Sequence, residues 1–170
     1  MITKWNFQTP TEEELHKRDR LASQLGLSPV VCLLLVQRGL TTVEEVKKFF
    51  KPSLNDLHDP FLMPDMEKAV KRLNKALGNK EKILIYGDYD VDGTTAVSLV
   101  YKYLRPYSSA LDYYIPDRYD EGYGISYKGI NYARENGITL VISLDCGIKA
   151  IEKIEYAKQL GIDFIICDHH

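Results

Sequence analysis

The residues best equipped for chemistry in this sequence are carboxylates gathered at three places. Asp88, Asp90 and Asp92 alternate within Gly87-Asp-Tyr-Asp-Val-Asp-Gly93, with Thr94 and Thr95 following. Asp145 ends the apolar run Leu140-Val-Ile-Ser-Leu144, and Asp168, His169 and His170 end another. Three crowded carboxylates raise one another's pKa unless a cation lies among them, so the first cluster reads as an ion site. A calcium loop is excluded: Gly93 fits its sixth position, but Leu99 stands at the twelfth, where a bidentate glutamate is required. The segment before it is also strand-like. Capping by Asp92 or Thr94 of a helix beginning near Thr95 would account for one aspartate and leave two unexplained. Asp145 alone has a comparable plain reading, as the cap of a helix starting near Lys149.

Asp90-Val-Asp92-Gly-Thr-Thr95 after a strand also resembles the opening motif of haloacid-dehalogenase-type phosphatases, with the first aspartate as nucleophile and the second as acid/base. That family completes its site with a lysine and an acidic pair. Here the later strands end in Asp145-Cys-Gly and Asp168-His-His, and two histidines suit a transition metal better than a lone magnesium ion. Consecutive residues leaving a strand can point one imidazole at a metal and the next at a substrate oxygen. A zinc site built from Cys146, Cys167 and the histidines matches no ligand spacing, and small buried thiols explain those cysteines.

These groups need a scaffold that brings distant residues together. From Lys82 onward four short apolar runs (KILIYGD, LDYYIP, TLVISLD, DFIICDHH) alternate with three amphipathic stretches. That pattern predicts an α/β fold, a largely parallel sheet with crossover helices, in which every cluster lies at a strand's carboxyl end, where open sheets bind ligands. Before it, residues 1–78 read as a small helical N-terminal region. Thr11 with Glu14 and Thr42 with Glu45 form capping-box patterns, Pro29 follows Ser28 at a helix start, and Gly39 stops that helix. A proline- and aspartate-rich linker leads to a helix with Met66, Ala69, Val70, Leu73 and Leu77 on one face, closed by Gly78.

Composition narrows the class. A chain of 170 residues, 45% hydrophobic, can bury a proper core, and a net charge of −2 argues against binding nucleic acid by a basic surface alone. No apolar run reaches the ~20 residues of a bilayer span, and three cysteines do not make a disulfide framework. A cytoplasmic protein with no membrane partner is expected.

Taken in order, GDYDVDG, PDRYDEGYGIS, SLDCG and DHH resemble the DHH phosphoesterase superfamily and, within it, the exonucleases specific for single strands. Trp5, Arg38-Gly39 and the stretch from Lys48 to Val70 extend the likeness through the lead-in. The resemblance implies metal ligation by Asp90, Asp92, Asp145 and His169 in a site for two Mn²⁺ or Mg²⁺ ions. It implies His170 facing the scissile phosphate, Asp88 assisting a ligand or the second ion, and Arg118, Tyr123 and Gly124 supporting the strand. It further implies 5′ to 3′ digestion of single-stranded DNA to nucleoside 5′-monophosphates, in repair and recombination, alongside a helicase or single-strand-binding protein. Two departures stand out. Inorganic pyrophosphatases of the superfamily carry a metal-binding histidine four residues before the middle aspartate, where this chain has Tyr86. The family also continues past its DHH motif with another metal-binding aspartate, a second catalytic subdomain and an oligonucleotide-binding domain, so residues 79–170 read as the first part of a DHH domain and the chain as a fragment of weak or no activity. Two other readings stay open: a small-molecule phosphatase or pyrophosphatase of DHH or haloacid-dehalogenase type, and a non-catalytic binding domain.

Overall fold

The computed structural model describes Lys4 and residues 9–169, so Trp5 and His170, both singled out above, lie outside the described residues. The chain divides into two units, Met1–Pro60 and Phe61–His170.

In the first unit, helix α1 (Glu12–Leu25) opens at the expected capping box. Thr11 Oγ1 accepts the Glu14 amide at 3.2 Å while the Glu14 carboxylate accepts the Thr11 amide at 2.7 Å. Helix α2 (Pro29–Gln37) starts on a proline, whose missing N–H costs nothing in the first turn, although the Ser28 side chain does not cap it. Thr42 and Glu45 form the second capping box, at α3 (Val43–Phe50). Leu21, Cys32, Leu35, Val36 and Val46 make the shared core of the three helices.

The second unit runs α4 (Met66–Gly78), β1 (Ile83–Gly87), α5 (Val91–Leu104), β2 (Leu111–Tyr114), α6 (Tyr127–Glu135), β3 (Leu140–Leu144), α7 (Ile151–Gln159), β4 (Asp163–Cys167). All four strands are parallel, in the order β2-β1-β3-β4. The α/β alternation read from the sequence is therefore the fold. The central strands β1 and β3 are buried at every residue, which is why they read as unbroken apolar runs and not as alternating ones. Ile83, Ile85, Leu140 and Ile142 pack with Ala76 of α4 and Val97 and Leu104 of α5. Leu84, Tyr86 and Val141 face the other way, against Ile130 and Ala133 of α6 and Ala157 of α7.

The chain moves outward from β1 to β2, then back past β1 to β3. Placing α5 on one face and α6 and α7 on the other is what right-handed crossovers demand when the direction reverses. The reversal leaves a topological switch point between β1 and β3, the position at which open α/β sheets take ligands. Gly87 pairs with Leu144 in the last rung, so Asp88 and Asp145 leave neighbouring strands at one level.

Two glycines set the next step. A Cβ on Gly93 would lie 2.5 Å from the Asp88 carbonyl oxygen, and one on Gly87 would lie 2.3 Å from Val97 Cγ2. Without those carbons the first turn of α5 presses onto the end of β1. Asp90 is the N-cap, its Oδ1 accepting the Gly93 amide at 2.9 Å, so the helix begins at Val91 and not near Thr95. Asp92 and Thr94 lie inside it and do not cap it. Asp145 is no cap either, since α7 begins at Ile151 behind Ala150. Among the described residues no helix is long and apolar enough to cross a membrane.

Candidate active site

Strand β1 delivers Asp88 fully buried. Its Oδ1 accepts the Gly124 amide at 3.2 Å, and its Oδ2 has no hydrogen-bond partner. A buried carboxylate oxygen left without a donor is costly, which is the signature of a place meant for a cation. Asp90 follows as the cap of α5, and Asp92 stands exposed in that helix's first turn.

Strand β3 delivers Asp145 with φ 60°, a left-handed backbone that aspartate tolerates better than most residues and that gathers at functional sites. Its side chain is 10% exposed, and its Oδ1 lies 3.1 Å from Nε2 of His169. Strand β4 delivers Asp168, for which the sequence suggested no separate role. Its Oδ2 accepts the Ile148 amide at 2.9 Å and its Oδ1 the His169 amide at 2.7 Å. Asp168 thus ties the end of β4 to the loop after β3 and fixes the chain path into His169.

Two neighbouring groups register how these carboxylates converge. The Tyr123 hydroxyl is raised above its ordinary pKa, first by burial and then by the negative charge of Asp88, Asp145, Asp90 and Asp168. Burial, followed by the same four aspartates, pushes the Cys146 thiol up to about 12. Residues from the ends of β1, β3 and β4 therefore share one electrostatic neighbourhood, and His169 joins it through Asp145. Cys146 is a buried thiol as expected, whereas Cys167 is exposed, so the buried-thiol reading holds for the first and fails for the second.

The donors on this edge are carboxylate oxygens and an imidazole, the set that suits Mg²⁺ or Mn²⁺, and the orphaned Asp88 oxygen fits such an ion. Among the described residues no three acidic, histidine or cysteine side chains already enclose one point. The donors line an edge and do not form a closed cage.

The loop after β2 roofs this edge. Gly122 and Gly124, at φ 76° and 79°, turn it sharply between exposed Tyr123 and the buried Ile125. Arg118 places its guanidinium carbon 5.3 Å over the Tyr89 ring, and Tyr89 meets Tyr123 edge to face at 6.1 Å. The Tyr123 hydroxyl donates to the Asp145 carbonyl at 3.4 Å. Tyr86, standing where a pyrophosphatase would carry its histidine, is committed to the core. Its hydroxyl donates to the Gly124 carbonyl at 3.0 Å and accepts the Ser126 amide at 3.1 Å, and its ring stacks on Tyr114 at 5.4 Å. Glu121 is the loop's hub, a role the sequence reading missed. It accepts the Tyr114 hydroxyl at 2.9 Å, the Asp117 amide at 2.9 Å, and the Ser126 hydroxyl. A lone glutamate in a glycine- and tyrosine-rich loop gives no sequence signal for that, because its partners meet only on folding.

Residues 82–170 match the DHH family, N-terminal domain. Among curated relatives, the single-stranded-DNA-specific exonuclease RecJ of Bacillus subtilis (strain 168) is 41% identical over 167 residues, covering 98% of this chain and 21% of that protein. RecJ of Escherichia coli (strain K12) is 33% identical over 146 residues, covering 85% of this chain and 24% of that one. Of solved structures, RecJ in complex with Mn²⁺ from Thermus thermophilus superposes with a TM-score of 0.68 at 23% identity, over 92% of this chain and 21% of the other, a likeness of fold. Exonuclease RecJ bound to manganese superposes with a TM-score of 0.58 at 30% identity, over 64% of this chain and 29% of the other. The chain thus spans between a fifth and a quarter of the length of these two curated relatives. The family match covers more than half of its residues, at the sheet whose carboxyl edge gathers the aspartates, and the chain belongs to the DHH family.

Proposed function

We propose that this chain is the first part of a metal-dependent single-stranded-DNA exonuclease that cuts phosphodiesters from the 5′ end and releases nucleoside 5′-monophosphates. The observation that carries the reading is that Asp88 and Asp145 leave neighbouring strands at one level at the sheet's switch point, with Asp168 bonded to the loop after β3 and His169 beside Asp145, in a chain similar to RecJ over nearly its whole length. On this reading residues 79–170 belong to the phosphoesterase domain and residues 1–78 are its lead-in.

Asp90, Asp92, Asp145 and His169 are the proposed ligands of Mn²⁺ or Mg²⁺, with Asp88 offering its free oxygen from below. The part of Asp92 and that of His170 rest on the motif alone. Bound divalent ions supply a more acidic water and positive charge for the attacking and leaving oxygens. The chain's own residues do the rest. Asp145 holds the His169 imidazole, Asp168 holds the backbone leading to it, and His170 faces the phosphate. Arg118 brings a cation of the roof to a polyanionic strand, while the Gly124 amide steadies Asp88. The same reading makes the protein cytoplasmic and places it in repair and recombination beside a helicase or a single-strand-binding protein.

A small-molecule phosphatase or pyrophosphatase is not favoured. The curated relatives act on single-stranded DNA, and the pyrophosphatase histidine is replaced by a buried tyrosine. The test is to give the whole protein Mn²⁺ and 5′-labelled single-stranded DNA beside its Asp145→Asn variant. Labelled mononucleotide appearing from the first time points, absent with the variant and with duplex, is the expected result. An intact strand despite measurable Mn²⁺ binding would overturn the reading.

A further inference from the structure

Tyr86 of β1 and Asp88 just beyond it stand two positions apart, the spacing that puts side chains on one face of a strand, and both are fully buried. Asp88 has little room to adjust through its backbone, because Gly93 of α5 presses so closely that a Cβ there would lie 2.5–2.8 Å from it. The rotation of its carboxyl group is the freedom that remains. The Gly124 amide takes that freedom by donating to Oδ1 at 3.2 Å, which leaves Oδ2, without a hydrogen-bond partner, as the oxygen open to a cation.

What holds the Gly124 amide in place is Tyr86. Gly122 and Gly124 both have left-handed backbones, at φ 76° and 79°, and glycine has no side chain with which to fix the turn. The Tyr86 hydroxyl grips it from both ends, donating to the Gly124 carbonyl at 3.0 Å and accepting the Ser126 amide at 3.1 Å. The ring behind that hydroxyl is fixed in turn. It stacks on Tyr114 at 5.4 Å and 21°, and it fits because Gly129 lacks a Cβ, which would lie 2.6 Å from Tyr86 Cε2.

Resting on the metal site proposed above, we infer that Tyr86 is a positioning residue for the cation, acting through the Gly124 amide on Asp88 to select the carboxyl rotation that presents Oδ2 to the ion. One strand thereby supplies both a candidate ligand oxygen and the clamp that aims it. Removing the hydroxyl leaves the ring in its stack but frees the turn, so Asp88 loses a fixed donor and the ion loses a pre-oriented oxygen. Partners standing behind a ligand commonly set metal affinity by roughly 10- to 100-fold.

The experiment titrates Mn²⁺ into the whole protein by calorimetry, takes a thermal melt of each variant, and finds the Mn²⁺ concentration that half-saturates strand cleavage. Tyr86→Phe should weaken Mn²⁺ binding by roughly 10-fold and raise the half-saturating concentration by the same factor. Gly129→Ala, which keeps the hydroxyl but pushes on the ring, should shift both in the same direction, and it decides the question if Tyr86→Phe does not fold. Tyr114→Phe is the control, since its hydroxyl holds the same loop through Glu121 and not through Gly124. It should lower the thermal midpoint and leave Mn²⁺ affinity in place. In an Asp88→Asn background neither Tyr86→Phe nor Gly129→Ala should weaken Mn²⁺ binding further, because the carboxylate they act on is gone. Mn²⁺ affinity that these two variants leave unchanged overturns the inference alone, as does an equal loss in the Asp88→Asn background or in Tyr114→Phe. A parent protein that binds no Mn²⁺ overturns the metal-site reading with it.

Discussion

The two ends of the sheet are built on opposite principles. At the amino end, Arg72 of α4 donates from Nε to Asp163 at 2.6 Å, and from its Nη2 to Glu81 at 2.8 Å and to the Thr139 carbonyl at 3.3 Å. The Thr139 hydroxyl donates to Glu81 at 2.7 Å. Opposite charges are paired there, and one side chain joins the entries of β1, β3 and β4. At the carboxyl end, like charges converge, Asp88 keeps a buried oxygen without a donor, and Asp145 holds a left-handed backbone. The amino end spends its polar groups on the fold, save the buried Arg72 Nη1, which has no hydrogen-bond partner. The carboxyl end also spends carboxylates on the fold, Asp90 as a helix cap and Asp168 on two backbone amides, but it gathers like charges and leaves a buried Asp88 oxygen for a ligand, at a cost in local stability.

Breaking the carboxyl end should abolish function before it harms the fold. On the proposed reading, Asp145→Asn keeps a residue that tolerates φ 60° but removes a negative charge beside His169, so strand cleavage by the whole protein should fall by at least about 100-fold while the thermal midpoint moves little. A time course with labelled single-stranded DNA, beside a thermal melt, checks both halves. Gly93→Ala tests the support beneath the same end. Its methyl would meet the Asp88 backbone at 2.5–2.8 Å, so urea denaturation should show a loss of ~1–3 kcal/mol together with reduced cleavage.

Breaking the amino end should do the reverse. Arg72→Met leaves Glu81 without its cation and should cost ~2 kcal/mol, with cleavage at a permissive temperature unchanged. Asp88→Asn sharpens the contrast by changing sign. The amide keeps the oxygen that accepts the Gly124 amide and discards an uncompensated buried charge, so stability in metal-free buffer should rise by ~1 kcal/mol as cleavage falls. A drop in stability for that variant would mean Asp88 is already satisfied. The smallest effect is in the acid range. The Thr139 hydroxyl, then Arg72, hold the Glu81 carboxyl below its ordinary range. A folded value below the unfolded one gives stability that is complete above the ordinary glutamate pKa and is lost as pH falls through the folded value. Denaturation midpoints measured below about pH 4 should therefore drop more for the parent chain than for Arg72→Met.

The sequence by itself determined much that is local. The capping boxes at Thr11 and Thr42 formed as read, because their partners stand three residues apart and need no other part of the chain. Strands β1 and β3 were legible because double-faced burial leaves an unbroken apolar run, and the less buried β2 and β4 because short apolar runs recur between helical stretches; once parallel strands alternate with helices, their carboxyl ends share an edge. The same alternation predicts Asp88, Asp90, Asp92, Asp145 and the residues after β4 at one edge, where Asp92 stands exposed in the first turn of α5.

Only tertiary structure decided the rest, since it depends on atoms far apart in sequence. The start of α5 turned on how closely Gly93 could approach Asp88, which moved the cap from Asp92 or Thr94 to Asp90. Tyr86 became a core residue because Gly124 and Ser126 arrived at its hydroxyl. Glu121 became a hub because Tyr114 lies at the end of β2, and α4 found its partner face only when Ala76 met β1 and β3. Residue types and spacing fix which groups can do chemistry, but whether a carboxylate caps, clamps or waits for a cation depends on the donors that the fold brings within about 3 Å or leaves away.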